Sequence, residues 1–320
     1  MRLGWESAVN KQLAKQDNIP FREIGTPCLD GLHVDWYLDT ADAANPMQRL
    51  WSNGRWNKLM MAHGCYWAKC TFCDTTLDYI GRFDAAPASE IADRMDGLFA
   101  QSQESGFHFT DEAMPPAIVR QLSEELLARK RTYSWWGNIR FESFYSSEIC
   151  YLMHQAGCIA VSGGIEVASD RVLKRINKGV SIDALKQTLR HFRDNHIMVH
   201  AYLMYGFPTQ TAREAVAALG HVRRFFREDL IQSAFFHRFA LTVHSPIAQR
   251  PEAFGIRVAA PPARAGRRRP VFARNEIPFE EPGAPDWDRI GKGLRLALYN
   301  YMRGAGLSKP LAFWFASGGL

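Results

Sequence analysis

The segment NKLMMAHGCYWAKCTFC (57–73) sets three cysteines directly after a continuous apolar run. The run LMMA shows no alternation of polar and apolar residues, so it predicts a strand that is buried on both faces, as in a parallel sheet. The chain then enters a loop that carries Cys65, Cys70 and Cys73. The segment therefore predicts both an α/β fold and a thiol-rich loop at the end of one of its strands.

Outward from this segment, apolar runs alternate with amphipathic helical patterns as far as about residue 250. Strands are predicted at 57–65, 106–110, 133–142, 158–167, 197–207 and 230–243. Helices are predicted at 88–103, 115–130, 146–157, 181–196 and 209–228. This order is typical of parallel βαβ units, and six units are fewer than the eight of a closed TIM barrel. We therefore predict an α/β fold with a partial (β/α)6 TIM-like barrel.

The pattern divides the chain into a core and two flanking parts. Residues 54–250 form the predicted core, residues 1–53 an irregular, linker-like N-terminal segment, and residues 251–320 a C-terminal extension. Within the extension, DWDRIGKGLRLALYNYMR (286–303) predicts one amphipathic helix that packs on the barrel.

The composition excludes several classes of protein. With 47% hydrophobic and 22% charged residues, the 320-residue chain is not disordered. It has no apolar run long enough to span a membrane and no apolar signal-peptide region near Met1, so we expect a cytoplasmic protein. Five of the charges behind the net +6 are arginines in 264–274, so the charge is local and nucleic acid is not an expected partner.

The three loop cysteines suggest a metal centre. Thiolate ligands favour zinc or iron–sulfur clusters over hard cations. Cys65, Cys70 and Cys73 can bind three irons of a [4Fe–4S] cluster and leave the fourth iron for an exogenous ligand. Zinc is the alternative, with His63 as the fourth ligand. The other cysteines are isolated, and the last two of them are predicted to be core residues: Cys28, Cys150 and Cys158.

The chain resembles the radical S-adenosylmethionine (SAM) superfamily over about residues 54–250. It is most similar to the cobalamin-type and oxygen-independent coproporphyrinogen-oxidase-like branches. The motifs that carry the resemblance follow the family's order and spacing: AHGCYWAKCTFC (62–73), FTDEAMPP (109–116), IRFE (139–142), GGIEVASDRVLKRINKG (163–179) and LMYGFPTQT (203–211). Four residues separate the first two cysteines instead of the commoner three, a variation that resembles the cobalamin-type branch.

The resemblance implies an enzyme that uses a [4Fe–4S] cluster to cleave SAM reductively. The 5′-deoxyadenosyl radical so formed would abstract hydrogen from a substrate that the sequence does not identify. The resemblance also implies an electron donor such as a flavodoxin or a ferredoxin. Two alternatives stay open, namely a non-catalytic iron–sulfur or zinc-binding relative, and an RNA-modifying enzyme that uses the Arg264–Arg269 loop.

Three acidic residues match family positions that contact SAM. Glu112 ends the second strand, where the resemblance implies a contact with the SAM ammonium group. Glu142 and Glu166 end the third and fourth strands, where a carboxylate would accept hydrogen bonds from the ribose hydroxyls. The alternative role for these last two carboxylates is an ion pair with a neighbouring base: Arg140, Arg171 or Lys178.

Other matches are less direct. Phe72 and Gly206 take positions near the adenine, and Lys178 takes that of a base facing the SAM carboxylate. Side chains on the strands could line the barrel interior, although each is more often a core residue: Trp135, Trp136, His200, Tyr202 and His237.

The length of the N-terminal part bears on a further cofactor. Cobalamin-type relatives carry a vitamin-binding domain before the core, whereas only about 53 residues precede the core here. The segment GTPCLDGLHVDWYL (25–38) resembles the linker that follows that domain. We therefore do not expect cobalamin to be a cofactor of this chain.

Overall fold

The computed structural model describes residues 18–33, 56–259 and 275–316. Most of the predicted N-terminal segment and the whole Arg264–Arg269 loop lie outside these residues. In the part of the chain that is described, no helix combines the length and the apolar character needed to cross a lipid bilayer.

A parallel sheet of six strands forms the centre of the fold. Its strands follow the order β1-β4-β5-β6-β7-β8, and every neighbouring pair is parallel. Among the described residues the two outer strands do not pair with each other, so the barrel is open, which confirms the predicted partial barrel. The strand bounds are β1 Asn57–Leu59, β2 Ala62–His63, β3 Asp84–Ala85, β4 Gly106–Phe109, β5 Ser134–Ile139, β6 Cys158–Glu166, β7 Met198–Tyr205, β8 Ser233–Arg238, β9 Arg257–Val258 and β10 Phe279–Glu280.

Helices connect these strands and cover the outer face of the sheet. Their bounds are α1 Asp78–Gly81, α2 Ala88–Ser102, α3 Pro116–Ala128, α4 Ser147–Gln155, α5 Asp170–Ile176, α6 Ile182–Asp194, α7 Ala212–Arg227, α8 Pro246–Gln249 and α9 Trp287–Tyr301. Three of them begin after serines whose hydroxyl accepts a backbone N–H bond, namely Ser146 before α4, Ser181 before α6 and Ser245 before α8. Each predicted core helix is present within a few residues of its expected bounds.

The sequence analysis missed short elements, and the strand predicted at 57–65 is two short strands, β1 and β2, that belong to different sheets. The two-residue strands β2 and β3 pair antiparallel on either side of the cysteine loop. Helix α5 has only seven residues, so its apolar positions do not extend over enough turns to show a clear period. Both elements nevertheless position the functional site, because the cysteine loop lies between β2 and α1 and contacts the end of α5.

The two faces of the sheet separate residues that are adjacent in sequence. Trp135 points towards the helices, and its indole N–H donates to the Ala156 carbonyl over 2.8 Å. Trp136 lies on the opposite, concave face, where it stacks on His108 with 3.6 Å between the ring centroids. The period of two along a strand thus places one tryptophan in the outer core and the other inside the open barrel.

The C-terminal helix α9 packs against β8 and α7. Trp287 at its start lies beside Gly206, at the end of β7. Tyr301 at its end meets the buried Trp314 with 5.6 Å between the ring centroids. The predicted amphipathic helix is therefore confirmed, and it packs against β8, one of the two outer strands of the sheet.

Candidate functional site

The cysteine loop is held at the edge of the sheet where the parallel strands end. Its first cysteine, Cys65, donates its backbone N–H to the Ile80 carbonyl over 3.0 Å. Further along the loop, Thr71 donates to the Ile176 carbonyl at the end of α5 over 2.8 Å. In α/β folds this edge is where ligand sites gather, because the loops after all the strands meet there.

One cavity of about 290 Å³ brings most of the predicted site together. All three loop cysteines line it. Four other predicted site residues line it as well, together with Tyr202 from the predicted barrel interior and three further residues. The predicted and additional lining residues include Phe72, Glu112, Glu166, Lys178, Asn138, Arg140, Gly164 and Tyr202.

Two of the free cysteines, Cys70 and Cys73, interact through a hydrogen bond between their thiol groups. The hydrogen bond with Cys73 lowers the pKa of the Cys70 thiol, and the nearby charges of Lys178 and Arg140 act in the same direction against burial. The same bond raises the pKa of Cys73, with burial as the next cause. The positive charges of Lys178 and Arg140 therefore favour the thiolate form of Cys70, the form that binds metal.

Glu166 and Lys178 form a buried ion pair on the cavity wall. Lys178 Nζ lies 2.6 Å from Glu166 Oε1. Burial acts to lower the pKa of Lys178, but the charges of Glu166 and Cys70 and the bond to Glu166 leave it raised. The sequence analysis named this pair as the alternative role for Glu166, and the structure brings the two residues together.

The backbone at the end of β6 is shaped around this carboxylate. Glu166 has a φ of +58°, and the pairing of β6 with β7 shifts register between Gly164 and Glu166. A Cβ on Gly164 would lie 1.9 Å from Glu166 Oε1. The side chain of Glu166 thus folds back over Gly164, and a left-handed non-glycine residue at a strand end is typical of functional sites.

Glu142 lies outside the lining of this cavity. Its Oε1 accepts a bond from Arg140 Nε over 2.5 Å and one from the Tyr66 hydroxyl over 2.9 Å. Burial and the Glu142 charge raise the pKa of Tyr66, so the phenol stays a proton donor. The structure thus gives Glu142 the ion pair named as its alternative role and places it on a neighbouring cavity with Trp67 and Arg140.

Asp111 and Glu112 are adjacent in sequence, but the first side chain is buried and the second is exposed on the cavity wall. The Asp111 carboxylate is 1% exposed and accepts backbone N–H bonds from Met61 and Ala62 at 2.9–3.0 Å. Burial raises its pKa to about 7. Glu112 instead has an exposed side chain that lines the cavity, where partial burial raises its pKa. Asp111 therefore fixes the entry to the cysteine loop, and Glu112 faces the ligand space.

Of the remaining predicted residues, Phe72 and Tyr202 line the cavity and Gly206 does not. Phe72 lines the cavity and packs against the core. Gly206 does not line the cavity; its N–H donates to Gln210 Oε1 over 2.7 Å, and its φ of +76° makes the turn after β7. Tyr202 lines the cavity, and its ring meets His200 and His237 with centroids 5.0 and 6.4 Å apart.

The donor set fits an iron–sulfur cluster. Three thiols from one loop face a single cavity, and the cations Arg140 and Lys178 lie where they offset thiolate charge. Within the described ranges, no three His, Cys, Asp or Glu side chains are placed to hold a single metal ion. His63, the fourth ligand in the zinc alternative, has its Nε2 2.9 Å from Asp78 Oδ2.

Sequence reasoning missed the role of Arg140. The IRFE motif (139–142) drew attention to its glutamate, whereas the arginine two residues earlier is the buried residue that contacts Cys70. A basic residue directly after a strand with a buried aromatic pair was the available signal, because a buried charge requires partners.

Comparisons with known proteins identify the family of this chain. Residues 59–222 match the Radical SAM superfamily, which covers half of the chain. An uncharacterized methyltransferase from Pyrococcus horikoshii is 26% identical over 188 residues, 56% of this chain and 39% of that protein. The anaerobic magnesium-protoporphyrin IX monomethyl ester cyclase of Rubrivivax gelatinosus is 28% identical over 156 residues, 47% of this chain and 27% of that protein.

Solved structures share the fold. The radical SAM methyltransferase TsrM from Kitasatospora setae, with cobalamin and a [4Fe–4S] cluster bound, matches with a TM-score of 0.55 and 18% identity, over 66% of this chain and 43% of that one. The cobalamin-dependent radical SAM enzyme OxsB matches with a TM-score of 0.56 and 15% identity, over 74% of this chain and 38% of that one. The chain thus spans less than half the length of each of these proteins. By its family match, the chain belongs to the radical SAM superfamily of enzymes.

Proposed function

We propose that Cys65, Cys70 and Cys73 hold a [4Fe–4S] cluster and that SAM binds in the adjoining cavity. The observation that carries this proposal is the convergence of the three thiols with Glu112, Glu166 and Lys178 around one cavity. When bound and reduced, the cluster supplies the electron that cleaves SAM into methionine and a 5′-deoxyadenosyl radical, which abstracts hydrogen from substrate. The protein's own contribution is to bind, orient and shield.

The cavity residues have the charges that SAM requires. The Glu112 carboxylate suits the ammonium group, because a charge-assisted hydrogen bond is stronger than a neutral one. Lys178 suits the SAM carboxylate in the same way, and Glu166, held by Lys178, has a second oxygen that can accept from a ribose hydroxyl. Phe72 offers an aromatic wall for the adenine.

Two predicted contacts take indirect roles in this proposal. Glu142 acts through Arg140 and Tyr66 instead of through the ribose. Gly206 allows the turn between β7 and α7 and, through it, the position of the loop that follows Tyr205. Both residues shape the walls around the site without lining the cavity itself.

The concave face beside the cavity is the proposed position of the substrate. Tyr202 reaches both the cavity and this face, and His237 lies close enough to Glu166 for the carboxylate charge to act on its pKa. Burial lowers the pKa of His237 despite that charge, which favours a neutral imidazole. We propose that this uncharged, ring-lined surface contacts the substrate.

A reductant and a substrate complete the proposal. We propose a flavodoxin or a ferredoxin as electron donor. We also propose that residues 54–250 act as the catalytic core, flanked by the segments 1–53 and 251–320. TsrM and OxsB contain cobalamin, and the expectation that this chain does not bind it stays a prediction.

Anaerobic reconstitution with iron and sulfide tests the proposed function. We expect about four irons per chain and, after reduction with dithionite, release of methionine and 5′-deoxyadenosine from SAM. The Cys70→Ala variant should lose both the iron and SAM cleavage, whereas Cys28→Ala, at an exposed cysteine outside the site, should keep them. One bound zinc without iron, or SAM cleavage by the Cys70→Ala variant, would contradict the proposal.

A further inference from the structure

We propose that Arg140 is a positioning residue for the Cys70 thiolate and raises the reduction potential of the cluster. This inference rests on the proposed function. Arg140 follows the last residue of β5, and its Nη1 lies 3.8 Å from Cys70 Sγ, within hydrogen-bond reach for sulfur. Arg140 is one of the few buried cations of the described chain, with 4% of the residue's surface exposed.

The guanidinium is held in place on every side. Its Nε donates to Glu142 Oε1 over 2.5 Å, and its Nη2 donates to the Lys178 carbonyl oxygen. Its plane lies over the Trp67 ring, 4.3 Å from the ring centre. Because the donors of a guanidinium form a rigid fork, these contacts leave Nη1 directed at Cys70.

The partners of Arg140 are themselves fixed. The Tyr66 hydroxyl donates to the same Glu142 oxygen over 2.9 Å, and the Trp67 indole N–H donates to the Asn177 carbonyl over 2.9 Å. A Cβ on Gly179 would lie 2.5 Å from the Trp67 ring, so the ring packs directly on the backbone there. The contacts around Arg140 therefore fix the orientation of its guanidinium, and they direct one N–H group to the Cys70 sulfur.

A donor and a positive charge at a ligand sulfur change the energy of the added electron. Hydrogen bonds to the sulfurs and the net charge nearby are among the factors that set the potential of an iron–sulfur cluster. Both stabilise the reduced, more negative state, and burial strengthens the effect because the local dielectric constant is low. Arg140 should therefore make the cluster easier to reduce, while Glu142 offsets part of its charge.

Two neighbouring substitutions should shift the midpoint potential of the cluster in opposite directions. Arg140→Met removes the donor and the positive charge and leaves Glu142 uncompensated, so the midpoint potential should become more negative. Glu142→Gln keeps the shape and the acceptor but removes the negative charge, so the potential should become less negative. Arg140→Lys keeps the charge without the fork and should fall between wild type and Arg140→Met.

An anaerobic redox titration of the reconstituted proteins, followed by electron paramagnetic resonance, measures these shifts. Arg171→Met is the matched control, because Arg171 is an arginine paired with a glutamate, Glu214, over 2.6 Å, with its other bonds to Thr209. Its potential should equal that of the wild type. The readout is a potential, so it does not depend on the substrate or on turnover.

The outcomes separate this inference from the proposed function. A wild-type protein that binds no cluster contradicts the proposed function itself. A wild-type protein with a cluster whose potential is unchanged in Arg140→Met, or shifted in the same direction by Glu142→Gln, overturns the role of Arg140 alone. If Arg140→Met retains no iron, the midpoint potentials of Arg140→Lys and Glu142→Gln decide the question. A more negative potential in Arg140→Lys and a less negative one in Glu142→Gln support the inference. Shifts in the same direction, or no shifts, overturn it.

Discussion

Lys178 Nζ and Glu166 Oε1 lie 2.6 Å apart in a buried ion pair, twelve residues apart in sequence. The carboxylate reaches the lysine only because β6 ends in a left-handed residue and because Gly164 leaves space beneath it. The pair joins the end of β6 to the segment after α5, and Lys178 also offers its backbone carbonyl to Arg140. Loss of either charge should therefore disturb both the fold and the cavity.

The first prediction concerns the stability of this pair. Lys178→Met leaves the Glu166 carboxylate buried without its cation, and breaking a buried pair in this way costs about 3 kcal/mol. The double variant Lys178→Met/Glu166→Gln removes both charges and should recover a large part of that loss. Urea unfolding of the full chain measures both. Equal losses in the single and double variants would show that the charges are not coupled.

Gly164→Ala tests the space beneath Glu166. The added Cβ would meet Glu166 Oε1 at 1.9 Å and Lys178 Nζ at 2.8 Å, so the carboxylate must move away from its position. We expect overpacking to cost about 1–3 kcal/mol of unfolding free energy. SAM affinity, measured by calorimetry on the reconstituted protein, should fall at least tenfold.

A matched glycine variant controls for the substitution itself. Gly220→Ala adds the same methyl group inside helix α7, where the nearest atom is the end of the Leu311 side chain at 3.2 Å. This variant should bind SAM like the wild type. Normal SAM affinity in Gly164→Ala would mean that Glu166 is not a SAM ligand in its present position.

Glu112→Gln tests the proposed contact with the SAM ammonium group. The side chain is exposed and has no hydrogen-bond partner among the described residues, so the substitution should leave the unfolding free energy unchanged. Loss of one charge-assisted bond corresponds to roughly tenfold or more in the SAM dissociation constant. The control is Glu124→Gln, an exposed glutamate on α3 that pairs with Arg120. Equal affinities of the two variants would remove Glu112 from the site.

Asp111 provides a pH-dependent test of the loop entry. Burial raises its pKa to about 7 in the folded protein, whereas an aspartate in an unfolded chain has a pKa of about 3.9. Because the folded state holds this proton more tightly, the contribution to stability is complete below about pH 4 and is lost as the pH rises through about 7.

Comparison with Asp111→Asn isolates that contribution. The asparagine does not titrate, so the difference in unfolding free energy between wild type and variant should decline with rising pH, by about 4 kcal/mol between pH 4 and 8. Urea unfolding at a series of pH values measures the difference. A difference that stays constant with pH would show that the Asp111 carboxyl has an ordinary pKa in the folded chain.

The outer part of the fold could be predicted from the sequence because it follows local rules. Each long helix has an apolar face with a clear period, and the apolar strands 197–207 and 158–167 are long enough to identify a buried parallel sheet. The shorter elements β3 and α5 were missed and β2 was merged with β1, since two to seven residues give too little period.

The site shows the same division between local and long-range information. The sequence by itself identified the three cysteines of the proposed cluster site, because they lie within one loop, and the motif matches led to Glu112, Glu166, Lys178 and Phe72 on the cavity. It could not determine that Glu142 pairs with Arg140 or that Gly206 lies away from the lining, since these facts depend on side-chain direction at strand ends. Only the tertiary structure decided that Arg140 faces Cys70, because that contact joins residues 70 positions apart through the packing of a loop on the sheet.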